Sequence, residues 1–159
     1  MFRSCVLAAV VLAAGVVSAP ALRADGDVPF KGTWTGETIS ADLSGFPIVS
    51  IVAAGGGQFA HLGESTMVSP HTTDVFTGET LGDQIFTAAN GDTLTAYCAG
   101  FAGPDAEGIV RGTLDCDVTG GTGRFADATG SYTFSLVATP LPSGLGYATV
   151  AQIDGSIDY

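Results

Sequence analysis

The sequence predicts an all-β protein: an antiparallel barrel, or a two-sheet sandwich, of eight or nine strands. Three observations predict it. Polar and apolar residues alternate along most of the chain, turn-forming residues recur at intervals of about ten positions, and nothing after the first two dozen residues has helical periodicity. Without crossover helices to join parallel strands, antiparallel closure is the natural way to bury the apolar faces.

The N-terminus is of another kind. Phe2-Arg3-Ser4 carries one positive charge, Val6 to Val17 is an uninterrupted apolar run, and Ala19-Pro20-Ala21 and Leu22-Arg23-Ala24 offer small-residue cleavage sites. Residues 1–24 are therefore expected to be a signal peptide that exports residues 25–159, a single domain, to the periplasm or the medium. The apolar run is short for a bilayer span and no second one approaches that length, so no membrane insertion is expected after cleavage. Loss of Arg3 and Arg23 leaves Lys31, Arg111 and Arg124 against all 16 carboxylates, a net charge of −13. Such a surface repels phosphate backbones and anionic lipid, which excludes nucleic-acid binding. Cys5 departs with the leader, and Cys98 and Cys116 remain as an even pair in an exported chain. Both lie in β-like runs with the turn Gly103-Pro104-Asp105 between them. A cross-strand disulfide in one hairpin is expected, contributing about 3 kcal/mol.

Gly32 to Ile39 alternates as a first strand. Ile48 to Phe59 follows, interrupted by Gly55-Gly56-Gly57, where a strand must bend or approach another backbone closely. Glu64 to Val68 and Asp74 to Gly78 are predicted as two short strands separated by Pro70. Gln84 to Ala88 and Asp92 to Tyr97 flank Asn90-Gly91, the strongest hairpin signal in the chain. A strand ending near Asp117 leads into the glycine-rich segment 119–130, and Ser131 to Ala138 and Gly146 to Ile157 complete the domain.

The segment Gly120-Gly121-Thr122-Gly123-Arg124-Phe125-Ala126-Asp127-Ala128-Thr129-Gly130 resembles the G-G-x-G-x-F-x-x-A-x-G pattern of the allene oxide cyclase and dirigent barrel superfamily. It is even more similar to that of a set of exported bacterial proteins of unassigned function, as are Thr87 to Leu94 and His61-Leu62-Gly63. The resemblance implies an eight-stranded, calycin-like barrel whose lumen takes an apolar small molecule, and it allows a homo-oligomer, dimer or trimer. Read physically, Gly121, Gly123 and Gly130 supply positive φ and close approach. Phe125 is a plug for one end of the barrel, and Arg124 a bridge between loops. Gly32-Thr33-Trp34 is similar to the G-x-W start of lipocalin and avidin barrels, where the Trp closes one end and an Arg stacks on it. Trp34 with Arg124 or Arg111 is expected to repeat that cation–π pair.

No catalytic set is evident. The two histidines, His61 and His71, make no zinc set, and there is no C-x-x-C pair or nucleophile elbow. The glycines imitate a dinucleotide fingerprint, but no helix follows them. No metal or cofactor is predicted, and Asp115 and Asp117 are expected to face solvent. The candidates for polar groups in a lumen are Glu37, His61, Glu64, Tyr97, Arg111 and Tyr132. Two readings result: a binding or structural module for a small apolar ligand, or a cyclase or isomerase acting on a hydrophobic substrate in the lumen.

Overall fold

The structure, a computed structural model, describes residues 27–159. The expected signal peptide and its cleavage sites lie outside the described residues. Eight antiparallel strands run up and down in chain order and close on themselves: β1 (Val28–Asp42), β2 (Ile48–Phe59), β3 (Gly63–Asp74), β4 (Glu79–Ala88), β5 (Thr93–Pro104), β6 (Val110–Gly121), β7 (Thr129–Pro140) and β8 (Tyr147–Asp158). Closure is made by β1 against β8, from Val28 opposite Ile157 to Glu37 opposite Ala148. No sheet edge is left, which settles barrel over sandwich.

The register sets the shape. From Trp34, the hydrogen-bonded row runs through Gly57 and Ser65 to Ala88 in β4. In the other direction it passes Ala151, Leu136 and Gly112 to Ala102, whose N–H bonds to Gly78 just before β4. The ring therefore closes with a stagger of about ten residues, from Gly78 to Ala88, and the strands tilt by roughly 40°.

Alternation points one face of every strand inward. Toward the start of β1 the interior is filled by aromatic rings: Phe30, Phe59 and Phe86 are at most 2 % exposed, with centroids 5.0 to 6.4 Å apart, and Tyr132 lies 5.3 Å from Phe30. Cys98 and Cys116 are directly paired across β5 and β6, both point inward, and they form the disulfide that their spacing predicts.

Two local expectations are corrected. β3 runs unbroken through Pro70, which needs no amide hydrogen here because the β3–β4 ladder skips from Val68 to His71. Asp74 to Gly78 is mostly a turn rather than a strand, because the Asp74 carboxylate accepts the Phe76 and Thr77 amides at 2.8 and 3.2 Å and folds the chain back. At Gly55 and Gly57 the close approach is real: a Cβ on either would collide with the carbonyl of Thr35 or Thr33.

Candidate functional site

The two ends of the barrel differ. The closed end is formed by the β2–β3 and β4–β5 turns, the segment between β6 and β7, and the C-terminus. Thr122 to Ala126 makes a single 3₁₀ turn that drops Phe125 into the core, fully buried. The Arg124 guanidinium lies 4.7 Å above the Phe125 ring and 5.9 Å from Tyr159, and it donates to the His61 carbonyl. Tyr159 hydrogen-bonds His61 Nδ1 at 3.0 Å, and the Arg124 amide donates to Asp92. The segment is thus a plug, with Arg124 bridging three loops. The same geometry corrects the expectation for Trp34, which neither closes an end nor stacks on an arginine. It sits mid-barrel against Phe134, at 6.2 Å, while Arg124 is committed to the plug and Arg111 pairs outside with Asp105 at 3.5 Å.

Five of the six lumen candidates do not face the lumen. Glu37, Glu64, Tyr97 and Arg111 fall on the outward parity of their strands and are exposed; His61 is an exposed turn residue with φ +68°. Glu64 and Glu37 instead line two open grooves of about 510 and 430 Å³ on the outer wall, over glycines that carry no side chain. Only Tyr132 faces inward. It is 4 % exposed and donates to Gln84 Oε1 at 2.9 Å, and burial pushes its hydroxyl far up, so it stays protonated. Asp115 and Asp117 are exposed. The described residues hold no cluster of three or more His, Cys, Asp or Glu suited to a metal.

Sequence reasoning missed the inward polar set that does exist. Gln84, Ser65 and Thr80 are buried, His71 and Thr73 partly so, and the Thr73 and Thr80 hydroxyls are 3.0 Å apart. His71 Nδ1 is 3.0 Å from the Ser69 carbonyl, and burial holds the ring below its ordinary value near 6.5, with that carbonyl pulling the other way. Among the described residues no Asp, Glu, Lys or Arg occupies an inward position. The available signal was parity: Gln84, Phe86 and Ala88 share one face of the Asn-Gly hairpin, which makes Gln84 inward.

The opposite end of the barrel has no such plug and is less tightly packed. Its inward wall is built from small or hydroxyl residues such as Gly36, Ala53, Gly82, Gly100, Gly112 and Thr149. Packing there is uneven: inward Ile51, His71, Leu136 and Thr149 are only partly buried, whereas Val49, Thr80 and Ala138 are buried. Around this end stand Leu43, Phe46, Phe76 and Leu145 in the strand connections, with Phe101 on the outer face of β5, all between 62 and 80 % exposed, and Phe46 and Phe76 are edge to face at 5.3 Å. The nearby carboxylates are occupied as turn formers: Asp42 accepts the Ser44 amide at 2.9 Å, which holds its pKa down, and Asp74 accepts two amides of the Phe76 turn. Compared with known proteins, the chain matches no family model, no curated protein and no solved structure, so the functional reading rests on residues and geometry.

Proposed function

We propose that this chain is an exported, non-catalytic binding module that takes up a small apolar molecule at the unplugged end of its barrel. The observation that carries the reading is the cluster of exposed Leu and Phe side chains around the unplugged end, where among the described residues no inward position holds Asp, Glu, Lys or Arg. Apolar surface concentrated in this way marks a contact site, and an uncharged interior favours an uncharged guest. The buried Cys98–Cys116 pair suits an oxidising compartment, in keeping with export by the N-terminal leader. The closed eight-stranded ring and the Phe125 plug support kinship with the allene oxide cyclase and dirigent-like barrels.

Cyclase or isomerase chemistry in this lumen has less support. It needs a group that gives or takes a proton beside the substrate. Among the described residues the titratable groups at inward positions are His71, Tyr132 and Tyr147; the Tyr132 hydroxyl is held protonated and engaged by Gln84, and no carboxylate or ammonium stands beside any of the three.

Titration with Nile red, a neutral solvatochromic dye, tests the reading. The protein is expected to shift the dye emission to the blue, and the double variant Phe46→Asp/Phe76→Asp to weaken binding by more than tenfold, since each ring contributes about 1.5 kcal/mol or more when covered. Both rings are exposed, and the melting temperature of the variant separates loss of the site from loss of the fold. Equal dye binding by the variant refutes a site at the unplugged end. Mass spectrometry of lipophiles that co-purify with the secreted protein would identify the natural guest.

A further inference from the structure

We infer that the bound molecule carries a neutral carbonyl oxygen, received in the middle of the barrel by the indole N–H of Trp34 and the amide N–H of Gln84. The inference rests on the binding reading above and adds the chemistry of the ligand.

Trp34 and Gln84 are each 1 % exposed, and their Nε1 and Nε2 atoms are the buried side-chain atoms without a hydrogen-bond partner among the described residues. Buried donors are nearly always paired, so two in one lumen require an explanation. They also share a level. A stagger of about ten residues over eight strands lowers the horizontal plane by about four residues over three strands, and so from Ala88, the row partner of Trp34, to Gln84. Contacts agree, because Trp34 packs on Phe134 and Gln84 bonds Tyr132, two residues away on the same face of β7.

The two donors have fixed roles. An indole nitrogen only donates, and the Gln84 amide is oriented by Tyr132, whose hydroxyl donates to Oε1 and leaves Nε2 to donate elsewhere. Toward the unplugged end the Trp34 ring lies against Gly36, where a Cβ would collide with it, and the next inward positions include Ala53, Gly82 and Gly100. The donors therefore stand below a stretch of lumen lined largely by small side chains, on the side that faces the apolar rim.

Two neutral donors match the two lone pairs of one sp² oxygen. A carboxylate would need a cation, and the three on the described chain are elsewhere: Lys31 pairs with Asp154 at 3.0 Å, Arg111 with Asp105, and Arg124 caps the closed end. The ligand class is an apolar molecule with one neutral carbonyl: a ketone, an aldehyde or an ester.

The test compares methyl nonyl ketone, undecane and undecanoate on the full exported chain. The ketone is expected to bind about tenfold tighter than the alkane, the worth of two modest hydrogen bonds, and tighter still than the carboxylate. Trp34→Phe and Gln84→Met should each lower the ratio of ketone to alkane affinity to near one. The single tryptophan of the chain gives one indole N–H resonance, which should move downfield with ketone and not with alkane. That reading needs no variant, and it decides the matter if a substitution prevents folding. Equal binding of ketone and alkane with an unmoved indole resonance overturns this inference and leaves the binding module standing. Preference for the carboxylate overturns the neutral acceptor. Binding of none of the three overturns the module itself, and this inference with it.

Discussion

At the scale of single residues, parity and burial decide roles. Phe125 is fully buried at the closed end, under the Arg124 guanidinium. Phe125→Ala is expected to cost about 3–5 kcal/mol in urea denaturation, the usual loss for a buried ring whose site collapses only in part. His71 gives a pH signature. Its folded pKa lies below the unfolded value near 6.5, because burial disfavours the imidazolium. The unfolded chain therefore binds the proton first as the pH falls. The His71 contribution is complete above 6.5 and is lost as the pH drops from there toward the folded value. The groups that share its face of the lumen, Ser69, Thr73, Thr80 and Gln84, do not titrate. Stability measured between pH 7.5 and pH 5 should fall less in His71→Gln than in the parent, and equal slopes would remove His71 from the account.

At the scale of elements, glycines at turns and crossings differ in kind. Gly91, in the Asn-Gly turn between β4 and β5, has φ +89° and open space around a would-be Cβ. Gly91→Ala meets only backbone strain and is expected to cost about 1 kcal/mol. Gly130, at the start of β7, has φ +128° and a would-be Cβ that runs into the Ser156 carbonyl of β8. Gly130→Ala adds a clash with backbone to that strain, so a loss of more than about 2 kcal/mol is expected by the same denaturation assay. Similar losses for the two alanines would show that the β7–β8 contact at Gly130 yields to a methyl group. The disulfide belongs to this scale too. It ties β5 to β6 across a separation of 18 residues, and its removal by Cys98→Ala/Cys116→Ala should cost about 3 kcal/mol.

For the whole molecule, the dominant fact is charge. Within residues 25–159, Lys31, Arg111 and Arg124 stand against 16 carboxylates, and the Lys31 and Arg111 ion pairs are exposed or half-exposed. Self-repulsion of this size opposes a compact ring, and salt relieves it. The melting temperature of residues 25–159 is expected to rise by several degrees between about 10 mM and 150 mM sodium chloride, over the range in which the screening length shortens from about 30 to 8 Å. A flat response would mean that the carboxylates are spaced widely enough not to interact.

Much of the fold was legible because β-structure writes a period of two into the chain. Alternation, the Asn90-Gly91 turn and the paired cysteines determined an all-β domain with a bridged β5–β6 hairpin, and Phe125 among glycines determined a plug. The site was less legible. Glu37, His61, Glu64, Tyr97 and Arg111 were chosen for their chemistry, yet a shift of one residue in a strand exchanges lumen for solvent. Asp74 looked like the start of a strand because its neighbours Val75 and Phe76 are apolar, whereas its own carboxylate makes a turn. Only closure of the ring decided which end is sealed, which rings fill it, and that Trp34 and Gln84 meet at one level. Those outcomes depend on the stagger between β1 and β8, a pairing of residues more than a hundred positions apart, and local sequence carries no record of it.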